Sequence, residues 1–149
     1  MNTSSGVSGH GSSASASINQ RNATLANATE LVGRVLLASL FLLSGLTKLG
    51  AYSATSAYMA SAGVPGALLP VVIATEVVGA LAVILGWKTR IAATLLAGFS
   101  LLAAFTFHNN FADQIQMIMF LKNVSITGGF LLLIANGAGP LSIDRRVAR

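Results

Sequence analysis

Three ionisable side chains stand inside stretches of sequence that are otherwise almost wholly apolar. Arg34 lies one turn into the run 31–46, Glu76 sits midway along 67–85, and Lys122 interrupts 115–135. An ion in hydrocarbon costs about 2.5 kcal/mol or more, even on lenient insertion scales, unless it is paired or hydrated. Such groups are kept where they cluster inside a helix bundle. There they can form ion pairs, hydrogen-bond a polar ligand or move a proton. Lys48 and His108 fall at segment ends, where a basic side chain can equally reach the membrane interface and play no part in chemistry.

Counting along each segment places Glu76 near the midplane, about 15 Å from either face, and Lys122 roughly 10 Å below one face. Arg34 and Lys48 are each about 10 Å from Glu76 in depth. The expected primary pair is therefore Glu76–Lys122, with Arg34 second. The competing reading of the same residues is an ion pair that fixes helix register and does nothing else.

The elements that must position these groups follow from composition. The 149 residues are 54% hydrophobic and 9% charged, with a mean hydropathy of +0.74. A soluble domain carries about a quarter charged residues, so this is an all-α integral membrane protein. The absence of cysteine excludes disulfides, thiol redox chemistry and thiolate metal sites. Two histidines, His10 and His108, do not make a multi-histidine metal site, and no metal is expected. The net charge of +5 is spread along the chain and does not suggest nucleic-acid binding.

Residues 1–29 are rich in Ser, Gly, Ala and Asn and lack a helical stripe. They read as a disordered polar tail that cannot offset its ordering entropy, and not as a signal peptide. Four apolar segments follow, at about 31–49, 67–86, 91–107 and 115–135. Each is near the roughly 17–25 residues that span hydrocarbon as a helix. The expected fold is a four-transmembrane-helix bundle over 30–146, with a basic end at 147–149. Gly63-Val64-Pro65-Gly66 breaks the first two segments, and Trp87-Lys88-Thr89-Arg90 makes a short hairpin between the next two. Arg21, Lys88, Arg90, Arg145, Arg146 and Arg149 fall on one side, so both termini are expected in the cytoplasm.

Helical spacing sets Arg34, Ala38, Phe41, Gly45 and Lys48 on one seam, and Glu76, Gly79, Val83 and Gly86 on another. Lys122, Ser125, Gly129 and Leu132 align on the last segment. Gly45, Gly79, Gly128 and Gly129 are the expected points of close helix packing.

An ordered set of residues resembles the DoxX family of small bacterial membrane proteins. It begins with Gly33-Arg34 and Phe41-Leu-Leu-Ser-Gly45-Leu-Thr-Lys48. It continues through Gly63-Val-Pro65, Glu76-Val-Val-Gly79, Gly86-Trp-Lys-Thr-Arg90 and His108. Lys122-Asn123, Gly128-Gly129 and Gly137-Ala-Gly139-Pro-Leu-Ser-Ile-Asp144 complete it, so the likeness covers about 31–146. The resemblance implies a multi-pass protein of the bacterial inner membrane, close to quinone chemistry and to oxidoreductase complexes.

Under that reading Arg34, Lys48, Glu76, His108, Lys122 and Asn123 bind the ligand, with a quinone as candidate cofactor and nothing bound covalently. The partners are the lipid bilayer and a soluble or membrane oxidoreductase subunit. Fold transfers across a family better than function does, and the chain has no redox centre of its own. Two alternatives therefore stand beside the quinone-interacting subunit. One is a non-catalytic accessory or assembly protein, and the other is a small transporter or proton conductor using Glu76.

Overall fold

A computed structural model of the chain describes residues 10–148. Helix α1 (His10–Gly50) is followed by a short helix α2 (Tyr52–Ser61). A 3-10 turn, Gly66–Leu68, then leads into α3 (Leu69–Leu85). Helices α4 (Thr89–Phe107), α5 (Gln114–Asn136) and α6 (Ile143–Val147) complete the order. Among the described residues there is no strand, and four helices are long and apolar enough to cross a membrane. In hydrocarbon only a helix satisfies its own backbone within one segment, which is why the apolar runs take this form.

The breaks have local causes. Gly63 at φ +78° ends the turn after α2, and Gly86 at φ +70° is the left-handed cap of α3. A Cβ at Gly86 would collide with Ser142 and the Arg34 guanidinium, so this position needs glycine twice over. Asp113 starts α5 by accepting from Ile115 N at 2.8 Å and Gln116 N at 3.3 Å.

Around the bundle α1 packs on α3, α3 on α4 and α4 on α5, while α1 and α5 touch more sparingly. The spans alternate in direction, so α1 begins and α5 finishes at one end, called here the terminal end. The opposite end is covered by α2. Small residues let the backbones close up: Ala38, Ala80, Ala93 and Ala97 are buried around Phe41, Val83, Leu96 and Phe130. Without a hydrophobic drive between helices in lipid, this van der Waals contact is what holds the spans together. A second cluster, Met59, Leu69 and Ile73 with Val64 and Phe107 against it, fastens α2 over its end of the bundle.

The two seams expected on α1 and α3 are buried, from Arg34 to Gly45 and from Glu76 to Gly86, with Lys48 half-buried. The stripe expected on α5 is displaced. Its buried residues are Thr127 and Phe130, while Lys122, Ser125 and Leu132 are exposed. Gly45 packs at the α1–α3 seam, where an added Cβ would lie 2.7 Å from Val77 Cγ2. Gly79 packs on Leu96, and Gly129 faces Leu37. Gly128 is no packing point: it is exposed and nothing lies within 4 Å of its would-be Cβ.

The segment expected as a disordered tail also differs. Residues 10–29 continue α1 as helix, and those on 1–9 lie outside the described residues. Extending a nucleated helix costs far less than starting one. Hydroxyl bonds from Thr24 to Gln20 O (3.0 Å) and from Thr29 to Leu25 O (2.9 Å) run along this stretch. Its side chains from Ser15 to Ala26 are exposed and add nothing to the core.

Candidate functional site

The α1–α3 seam carries a buried ion pair. Close approach at Gly45 brings α1 against Glu76 and Val77, and Lys48 stands one turn further along the same face. Its Nζ donates to Glu76 Oε1 and Oε2, both at 2.9 Å, and to Ser44 Oγ at 2.6 Å. Ser44 in turn donates to Glu76 Oε1 at 3.1 Å. Glu76 is 3% exposed, so the carboxylate is desolvated and its charge is met by this one lysine. A buried acid is tolerable only with such a partner.

Beside this pair lies a cavity of about 540 Å³, walled chiefly by Phe41, Met59, Val72, Phe99 and Phe107. Ser44, Lys48, Glu76, His108, Lys122 and Asn123 are among its polar groups, beside hydroxyls such as those of Tyr58 and Thr106. Size and lining suit a small amphipathic molecule: such pockets run to about 300–1,000 Å³, mostly apolar with a few placed polar groups. At the α2 end Tyr58 stacks on Phe107, with ring centroids 5.4 Å apart. His108, the residue that ends α4, donates from Nδ1 to Gln116 Oε1 at 2.8 Å, an assignment made from the amide oxygen's role as acceptor. That bond leaves Nε2 as the ring nitrogen available to another group.

The structure corrects two of the expected roles. Lys122 does not pair with Glu76: its Nζ contacts only Met119 Sδ, at 3.2 Å, among the described residues. The reason is neighbourhood. α3 lies against α1 and α4, whereas α5 lies against α4, so the cavity separates Lys122 from the acid. The α1 helix also runs past Glu76 before it ends, which puts Lys48 one turn from the carboxylate and not at a distant face.

Arg34 is the second correction, because it does not line the cavity. It is buried at the terminal end and donates to three main-chain carbonyls. Two of them are Ile84 O at 3.2 Å and Leu141 O at 2.8 Å; the third is Ala138 O. It ties α1 to the end of α3 and to the segment after α5. The same segment folds back onto the α3–α4 hairpin. Asp144 N donates to Gly86 O at 2.8 Å, and the Asp144 carboxylate accepts from Lys88 N at 2.7 Å and Thr89 N at 2.9 Å. Burial pushes the Asp144 carboxyl up. The Thr89 and Lys88 amides and the Arg34 charge outweigh it and hold the group below its ordinary value. Lys88 has φ +44°, and Asp144 is what stabilises that turn.

Of the six residues expected at a ligand, five border one cavity, and Arg34 belongs to a structural clamp. Among the described residues no three His, Asp or Glu side chains gather as metal ligands.

Comparison with known proteins decides the relationship. The DoxX family model matches residues 29–109. The chain belongs to the DoxX family. It is 50% identical over 115 residues to Inner membrane protein YqjF of Escherichia coli (strain K12), a match spanning 77% of this chain and 88% of that protein. It is also 38% identical over 123 residues to Inner membrane protein YphA of the same organism, spanning 78% of this chain and 88% of that one. No solved structure matches at a significant level. The DoxX match takes in Arg34, Lys48, Glu76 and His108 and ends before Lys122.

Several cavity residues of this DoxX chain were not read from the sequence. Ser44, in the ion-pair network, lies one residue off the Arg34–Lys48 seam, so spacing does not single it out. Tyr58 and Met59 come from α2, which has a single buried residue and hence no apolar stripe to reveal it.

Proposed function

We propose that this DoxX protein binds a quinone-like molecule within the bacterial inner membrane and serves a membrane redox system as a subunit or accessory. The observation that supports the reading is the aromatic-walled cavity of about 540 Å³, with ammonium, imidazole and amide groups at one site inside a membrane-spanning bundle. The residues fit such a ligand. Its ring would lie among Phe41, Phe99 and Phe107, and its carbonyls would accept from Lys122, His108 Nε2–H when the ring is cationic, or Asn123.

A quinone supplies two-electron, two-proton redox chemistry when bound. The protein's own part is to bind and orient the ring, to exclude water beneath α2, and to offer His108 as a group that can hold a proton. The chain has no cysteine for thiol redox chemistry, and in this reading a partner oxidoreductase subunit supplies the electrons. Both Glu76 oxygens are occupied by Lys48 and Ser44, which favours a ligand site over a proton conductor built on that acid.

A cytoplasmic terminal end is supported by the basic residues Lys88, Arg90, Arg145 and Arg146 there, and the names of both relatives support the inner membrane. Single cysteines at Ser61 and Ala148, labelled by an impermeant reagent in spheroplasts, test this: Ser61→Cys labels and Ala148→Cys does not. The reverse pattern refutes the orientation.

Thermal-shift titration with short-tailed ubiquinone and menaquinone analogues tests the binding. Saturable stabilisation of wild type is expected, and Ala103→Phe, which fills the cavity from α4, removes it. No saturable shift with wild type, or equal shifts for both proteins, rejects the site and leaves the accessory or assembly role.

A further inference from the structure

Among the described residues Lys122 is a cation inside a membrane span with no acidic partner, and the geometry of the bundle explains what it faces. On α1 Leu37 packs against Gly129 of α5, at 3.3 Å from the glycine's would-be Cβ, and Phe41 meets Phe130 with ring centroids 5.4 Å apart. These helices are antiparallel. Seven residues beyond Leu37 on α1 is Ser44, and seven residues before Gly129 on α5 is Lys122. Both steps are two helical turns along the same face, about 10 Å in the same direction. Lys122 therefore stands level with Ser44 and the Glu76–Lys48 pair, on the opposite wall of the cavity.

The two helices do not close at this level. Leu40, on the Leu37–Ser44 stripe, lines the cavity and is still 44% exposed. Lys122 likewise lines the cavity and is exposed. α1 and α5 touch only sparingly, and with an exposed cavity residue on each of them the gap between these two helices is the route to lipid that we infer, with Lys122 beside it. It lies about 12 Å along α5 from the first residue of that helix.

The charge balance at this layer is uneven. Glu76 is cancelled by Lys48, and among the described residues no other carboxylate lies within ion-pair distance of either lysine. A lone ammonium in hydrocarbon carries a penalty that an anion would relieve, and a charge-assisted hydrogen bond to an ionised oxygen is about twice as strong as a neutral one.

We propose that the cavity takes an acidic amphiphile, an apolar body bearing one ionised oxygen, which enters from the bilayer between α1 and α5 and pairs with Lys122. This rests on the ligand-site reading and narrows it, because a neutral quinone ring does not by itself satisfy the ammonium. Lys122 is then the residue that selects for charge, while the aromatic wall selects for the body.

The test uses a matched pair of probes, an alkyl hydroxynaphthoquinone, ionised at neutral pH, and its uncharged O-methyl ether. Binding is measured to the full chain in nanodiscs, with uptake by empty nanodiscs subtracted. Wild type is expected to bind the acid about tenfold more tightly than the ether. Lys122→Met should erase that preference, so that acid and ether bind alike and each more weakly than the acid binds wild type, and Lys122→Arg should retain it. Equal binding of the two probes by wild type overturns the proposal and leaves the cavity reading intact, as does a preference that survives in Lys122→Met. Binding of neither probe overturns both.

Discussion

Lys48 and Glu76 form an ion pair across the α1–α3 seam, with Nζ 2.9 Å from both carboxylate oxygens and the Ser44 hydroxyl bridging them. Gly45 sets that geometry, since its missing side chain is what allows α1 to approach Glu76. The seam, the pair and the cavity wall are therefore one arrangement. In the proposed site a ligand beside it would meet a fixed, neutralised polar surface, with the Lys122 ammonium facing it from the far wall.

Removing one partner of the pair strands a buried charge. Lys48→Met should lower stability by about 3 kcal/mol, and the double change Lys48→Met with Glu76→Leu should recover most of it. Lys122→Met should stay within about 0.5 kcal/mol of wild type, because nothing acidic depends on it. Reversible unfolding in mixed micelles reads all three. A large loss in Lys122→Met with none in Lys48→Met would restore the pairing that the depth count suggested.

The glycines separate in the same way. Gly45→Ala meets Val77 and Glu76 and should cost about 1–3 kcal/mol through overpacking. Gly128→Ala meets open space and should be neutral or stabilising by under about 1 kcal/mol, as alanine is the better helix former. Thermal unfolding of the two single variants compares them directly.

The terminal clamp carries a pH signature. The folded-state value of Asp144 is depressed, so its contribution is present above its unfolded value near 3.9 and is lost as pH falls through the folded value. Asp144→Asn should cost about 1 kcal/mol at pH 7, in line with loss of a helix-start acceptor. The difference in Tm from wild type should shrink as the pH is taken below about 4. A gap that stays constant down to low pH would show that the carboxylate charge is not what holds Lys88 and Thr89.

Much of the fold was legible because residue spacing reports which face of a helix is buried. Periodicity alone gives the Arg34-to-Lys48 seam, buried up to Gly45 with Lys48 half-buried, and the Glu76-to-Gly86 seam, buried throughout. Spacing does not report which helix lies opposite, and this is where Glu76 was matched with Lys122 when α1 was its neighbour. Arg34 was misplaced for a different reason. Its acceptors are the main-chain carbonyls of Ile84, Ala138 and Leu141, and a carbonyl has no residue type by which a sequence could announce it. α2 was missed because a ten-residue helix that buries only Met59 leaves no stripe.

The central claim, that the cavity is a site for a quinone-like ligand, is tested most directly by photolabelling. A photoreactive azidoquinone is illuminated with the protein in nanodiscs, and the adducts are mapped by mass spectrometry. The account predicts adducts on cavity residues such as Tyr58, Met59 and Phe107 that unlabelled quinone displaces and that Ala103→Phe prevents. Adducts confined to lipid-facing positions such as Leu36 and Leu131, undiminished by competitor, would contradict it.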